Sequence, residues 1–534
     1  MPSRSNDFTK ALPEELVAQI FSYLSGPETG NIVACRLVNR TFYDQSSPYL
    51  IPQIVFARRL DTLSRFCQIL DHPYFSQHVT ELIYDASAYA GVTATDWERY
   101  IEDCERAPRY LEDEHWLERE RHAASLRARL TLFCRDEVTP DSGGFRSLHG
   151  QSDVLSDITD ESMTPGLVTR ETLRAGYGRT FFDYQRRYND QEWIRNEGID
   201  NKTLSAAFVR LPKLRSIVVT DFRSLAHQGE SYDTCCRRLF GKMLEPQHVG
   251  AGGETGIAGD CLFSILRTLA NAPATRINGL AVGPHAFECN VEDASELADP
   301  YHPKNPRYLD ISAFEHVPLS PDSEIARTLN PLERLRLVLC YSGSRSNEEH
   351  MRGQLRQFIR SAAPLLRDLT LNMMYLFWGG RNEAPKVRDG ARFGVFASVV
   401  MPIHMPYLRE LSLRRWIFTA DELKMFLSAH AATLRDMHLL GCLCGDDETS
   451  LAQWGGQALN LTGAELTGFH AVLDERSANP HGWQSVTYKQ WTKMRPNIDE
   501  LDTRHLESVW LGGRPNTVAR QHKREEPPSS DWWK

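Results

Sequence analysis

The chain has 534 residues, 41% hydrophobic and 10% aromatic, with 61 Lys and Arg against 70 Asp and Glu for a net charge of −9. That composition supports a sizeable core in one or more domains. A pI near 6.1 argues against a dominant nucleic-acid surface, which shows as a basic patch or domain. No apolar run approaches the roughly 18 to 20 residues that span a bilayer, and Met1-Pro2-Ser3-Arg4 opens no apolar signal core. The 11 cysteines are scattered and odd in number, which fits reduced thiols better than a disulfide framework. The expectation is a cytoplasmic or nuclear protein that binds neither nucleic acid nor membrane.

In chain order, the first element opens at Ala11-Leu12-Pro13-Glu14-Glu15-Leu16. Pro13 suits the first helical position, where its missing N–H would be unpaired anyway, and Glu14 and Glu15 fall at the positive end of the helix. Leu16, Ile20 and Leu24 recur every fourth residue beside Val17 and Phe21, a stripe broad enough to bury one face, and Gly26-Pro27 ends it. Ile32, Val33, Leu37, Val38 and Phe42 predict one or two further short helices, stopped by Pro48 and Pro52. Such small helices need something to lean on.

Asp96 to Glu137 reads as a charged helical stretch, and 139–166, rich in Ser, Asp, Gly and Thr, as a mobile insertion. Beyond these an apolar triplet with one spacing keeps returning: Val79/Leu82/Tyr84, Leu214/Ile217/Val219, Ile277/Leu280/Val282, Leu332/Leu335/Leu337, Leu366/Leu369/Leu371, Leu408/Leu411/Leu413 and Leu434/Met437/Leu439. At 41% hydrophobic residues the template matches by chance at about 7% of positions, so context carries the reading. Arg follows the first Leu at Leu214, Leu366, Leu408 and Leu434, and Pro stands just upstream of four copies. Each triplet reads as a strand packing one face, and helix-like stretches such as Glu348 to Ala362 and Ala420 to His430 fall between later copies. Strand then helix recurs at roughly 26 to 42 residues, the logic of an irregular leucine-rich-repeat solenoid with insertions. Where strict repeats place Asn or Cys after the strand, this chain offers Asn372, Arg414 and Gly441. The fold class expected is therefore α/β, with another strand order as the alternative. Gly250 to Gly256 lacks the Lys of a phosphate loop. His115 and His122 suggest no third ligand, and Cys235-Cys236 and Cys442-x-Cys444 lack a second pair at zinc spacing. No catalytic signature is found, so no catalytic residue, metal or cofactor is expected. The last stretch, 512–534, is polar and expected to be disordered.

Leu12 to about Phe56 resembles the F-box, a three-helix motif that docks on the Skp-type adaptor of cullin-RING ubiquitin ligases. The marks are Leu12-Pro13-x-Glu15-Leu16, Ile20, Tyr23-Leu24, then Arg36-Leu37-Val38-Asn39-Arg40-x-Phe42. The family often carries an acidic-Leu pair after the first loop, where this chain has Gly30-Asn31-Ile32-Val33. Tyr184 to Asp221 looks like the helix-helix-strand passage of many fungal F-box proteins. By position, the resemblance implies adaptor contacts from Leu12, Pro13, Leu16, Ile20, Leu24, Val33 and Leu37. It implies an F-box-like motif at 10–56, a repeat domain at 57–511 and a non-catalytic substrate receptor of an SCF-type ligase with a protein target. A repeat scaffold that binds proteins without a ligase role is the alternative.

Overall fold

In the computed structural model, the structure describes residues 13, 16–17, 19–21, 29–106, 170–222, 238–239, 257–272, 277–283, 309–315, 319–320, 322–341, 348–375, 395–440, 442–444, 448–467, 470–471 and 511. The insertion and tail expected at 139–166 and 512–534, the Gly250 loop and His115 and His122 lie outside them. Two compact units are drawn from the chain. One comes from Met1–Ser87, Ile194–Gly229 and His248–Lys534, the other from Ala88–Trp193 and Glu230–Gln247.

The first unit is mixed α/β around a parallel sheet. Its strands are β1 (Gln53–Ala57), β2 (Glu81–Asp85), β3 (Ser216–Thr220), β4 (Gly279–Val282), β5 (Leu309–Asp310), β6 (Arg334–Tyr341), β7 (Asp368–Tyr375), β8 (Glu410–Arg414), β10 (Asp436–Leu440) and β12 (Gly463–Thr467). Apart from β5, which joins β6, each strand pairs with the sheet strand before it in the chain, and every pairing is parallel. Two-residue strands β9 (Ile417–Phe418), β11 (Leu443–Cys444) and β13 (His470–Ala471) form a second small parallel sheet.

The second and third residues of all seven apolar triplets fall on these strands in one register, and the first lies two residues before each strand. Ile54 pairs with Leu82, and the row continues through Ile217, Leu280, Leu335, Leu369, Leu411 and Met437 to Ala464. A second row runs two residues on, from Phe56 and Tyr84 to Leu413 and Leu439. Side chains alternate across a strand, so both rows face the same way, and they are buried throughout. Helices cover them. Glu348–Ala362 and Ala420–His430 have the bounds the spacing predicts, and Leu355, Phe358, Leu423 and Phe426 turn inward to the core. Thr419 starts the second with a capping box, accepting from the Glu422 amide while Glu422 accepts from the Thr419 amide at 2.9 Å.

The opposite face changes character along the sheet. On β2 and β3 it carries buried Ile83 and Val218. From β6 to β12 it carries Arg336, Thr370, Ser412, His438 and Glu465 in one row, and Arg334, Asp368, Glu410 and Asp436 in the row before it.

The second unit is built on aromatic packing between the helix Trp97–Arg106 and the long helix Arg170–Asn196. Tyr100 lies 5.3 Å from Phe181 and 5.4 Å from Tyr184 between ring centroids, and Trp97 lies 5.1 Å from Phe181. Gln191 accepts from the Tyr89 amide at 2.7 Å and donates to its carbonyl. A methyl group at Gly91 would fall 2.8 Å from the Tyr188 hydroxyl, so a larger residue there would push the Tyr188 ring aside.

Candidate functional site

The N-terminal segment divides its apolar residues in two. Pro13 starts a helical turn, its carbonyl accepting from the Leu16 and Val17 amides, and residues 16–17 and 19–21 are helical. Val17 and Phe21 are buried, as is Ile32, and Phe21 packs edge-on to Phe42 with centroids 5.3 Å apart. Leu16 and Ile20, one turn apart, are instead 46% and 47% exposed. The expectation that the whole stripe buries one face is thus corrected. A stripe this broad spans more than the supporting helices cover, so one edge is packed and the other is left in water.

The next helix, Thr29–Arg36, repeats the division. Val33 and Leu37, again one turn apart, are 48% and 84% exposed. Asn39 caps the helix Arg40–Ser46 by accepting from the Phe42 amide at 2.8 Å. Val38 and Tyr43 are also exposed, although neither is in the expected contact set. Tyr43 had a signal, because it follows Phe42, which packs on Phe21. Pro13 is exposed; Leu12 and Leu24 lie outside the described residues. Two pairs of expected contact residues are therefore presented to solvent, while Phe21 ties the first segment to the helix Arg40–Ser46 through Phe42. Uncovered apolar side chains at this density mark an interaction surface rather than ordinary scatter.

The polar sheet face is a second region where charges converge. His438 lies between carboxylates of its two neighbouring strands, with Nδ1 2.8 Å from Glu465 Oε2 and Nε2 3.7 Å from Glu410 Oε1. Burial raises the Glu410 pKa; His438 opposes the rise, and Asp368 and Asp436 add to it. Burial likewise raises Asp368, opposed by Arg334 and Arg367. No set of three or more His, Cys, Asp or Glu among the described residues is arranged to hold a metal ion. Among those residues no helix is long and apolar enough to cross a membrane.

A family model described as F-box-like matches residues 9–56, the stretch that holds these helices and ends within β1. The chain thus carries an F-box-like region, and domains of that kind bind Skp-type adaptors. No curated protein matches the chain.

Proposed function

We propose that this protein is the substrate receptor of an SCF-type ubiquitin ligase, docking on a Skp-type adaptor through its N-terminal helices and holding a protein target on the sheet domain. The observation that carries the reading is the exposure of Leu16, Ile20, Val33 and Leu37 inside the stretch matched by the F-box-like model. Leu12, Pro13 and Leu24 complete the proposed contact set. Transfer chemistry belongs to the ligase partners, reached through the adaptor and a cullin, and the role places the protein in the cytoplasm or nucleus.

The sheet domain fits an irregular leucine-rich-repeat array. Strand order follows the chain, and Glu410 pairs with Asp436 and Asp436 with Gly463, giving units of 26 and then 27 residues. Such repeats place Asn or Cys three residues after the last strand Leu. That position is Trp416 after Leu413 and Cys442 after Leu439, not the Arg414 and Gly441 expected from the sequence, because the strand ends before the donor turns inward. Trp416 Nε1 donates to the Leu371 carbonyl at 3.0 Å and Cys442 Sγ to the Leu413 carbonyl at 3.3 Å. Each thereby ties its unit to the strand before it.

Gel filtration of the chain with purified adaptor and cullin tests the receptor role. A three-component complex is expected for the wild type and not for Leu16→Asp/Ile20→Asp. A folded wild type that forms none would contradict it and leave a repeat scaffold without a ligase role.

A further inference from the structure

The docking helices join the sheet domain with almost no free chain between them. After Arg40–Ser46 comes one 3-10 turn, Ser47–Tyr49, and then β1 at Gln53. The Pro52 carbonyl already accepts from the Thr80 and Glu81 amides at 2.8 and 3.1 Å, so the sheet ladder begins before the strand itself.

A second connection is made by side chains. Arg36 ends the helix Thr29–Arg36. Its guanidinium carbon lies 4.4 Å from the Tyr43 ring centroid and 5.9 Å from that of Phe75, within reach of cation–π attraction. Arg36 Nε is buried without a hydrogen-bond partner, so ring faces hold that part of the group. Beside it the Tyr74 hydroxyl donates to the Asp44 carbonyl at 3.1 Å. Tyr74 and Phe75 stand on a turn that is itself braced. His72 Nδ1 accepts from both their amides, at 3.3 and 3.2 Å, and the His72 ring lies 4.3 Å from that of Phe75. The turn follows the helix Leu60–Asp71, whose Leu63, Phe66 and Leu70 are buried in the core behind β1.

We infer that Arg36, Tyr43, Tyr74 and Phe75 form a latch that fixes the orientation of the docking helices against the sheet domain, and so the orientation in which a bound adaptor faces the target. This rests on the adaptor-docking reading above. None of the four belongs to the expected contact set, so Arg36 and Tyr74 are positioning residues, acting through the helices they hold.

Hydrogen exchange on the full chain tests the latch without any partner. In Arg36→Ala/Tyr74→Ala the amides of residues 40–46 are expected to exchange about tenfold faster than in the wild type, while Ile54, Phe56 and Ile83 keep their protection. Unchanged exchange at 40–46 would overturn the latch. Should core amides also accelerate, Tyr74→Phe decides: removing one hydroxyl should raise exchange at 40–46 alone, and no local rise would overturn the proposal. The positioning claim has its own readout. With adaptor, cullin-RING ligase and ubiquitin-charged conjugating enzyme, the double variant should bind adaptor within about twofold of wild type yet spread ubiquitin over more of its own lysines, Lys202, Lys213 and Lys424 among those scored. An identical lysine distribution would overturn it. A wild type that binds no adaptor would sink the ligase reading while leaving the exchange result to judge the latch.

Discussion

His430 shows how one buried polar residue ties two segments together. It is 2% exposed, its Nε2 accepts from the Met405 amide at 3.0 Å, and its Nδ1 lies 2.7 Å from the Phe426 carbonyl. A carbonyl only accepts, so Nδ1 carries the proton and the ring is neutral. Burial lowers the pKa from 6.5, and nearby His404 lowers it further. The unfolded chain therefore binds more protons than the folded one. The stability His430 contributes is complete above about pH 6.5 and is lost as pH falls from there toward the folded pKa. Unfolding free energies from urea titration of wild type and His430→Gln should differ by about 1–2 kcal/mol near neutrality and converge toward pH 5; parallel curves would refute this. Arg59 and Asp85 make the opposite case, a buried ion pair 2.9 Å apart with side chains 8% and 0% exposed. Burial raises the Asp85 carboxyl, opposed by Arg59 and Ser87. Arg59→Met strands that carboxylate and should cost about 3–5 kcal/mol in denaturant unfolding. The loss should shrink at low pH as Asp85 takes up a proton.

Elements were legible wherever bulky apolar residues repeated with one spacing. The seven triplets mark strands because each sets two apolar side chains on one face of its strand, after a first apolar residue two positions ahead of it. β12 escaped notice because its core position is Ala464, too small to mark a period. β9, β11 and β13 have two residues each, too few to show alternation, and β1 was hidden behind Pro52, which read as a stop. At the N-terminus the spacing of Leu16 and Ile20 gave the helix but not which edge of its stripe stays in water, since that depends on where Phe42 packs. Facing directions make a sharp contrast between the paired strands β7 and β8. Leu413→Ala removes a buried core side chain and should cost about 2–5 kcal/mol, whereas Thr370→Ala on the polar face should change the urea midpoint little. Trp416→Phe keeps most of the ring but leaves the Leu371 carbonyl without its donor, an expected loss of about 1–3 kcal/mol. A cost below a few tenths would deny that bond a role in joining the units.

At the scale of the molecule, strand order that follows the chain means that each unit buries its apolar face against its neighbours. Large excursions are tolerated where they leave the sheet and return. The longest lies between β2 and β3, where Glu81 pairs with Ser216, and it holds most of the second unit. In the proposed role, such a domain would hold a target away from the N-terminal helices without a flexible spacer. Its polar face was not legible as a site in the sequence, because Arg334, Asp368, Glu410 and His438 look like any exposed set until parallel pairing aligns them. The docking role is open to calorimetric titration of the full chain with a purified Skp-type adaptor. One-to-one binding with a Kd below about 1 μM is expected, weakened at least about a hundredfold by Leu16→Asp or Ile20→Asp with unchanged urea midpoints. A folded wild type that gives no heat of binding, or equal affinity in both variants, would contradict it.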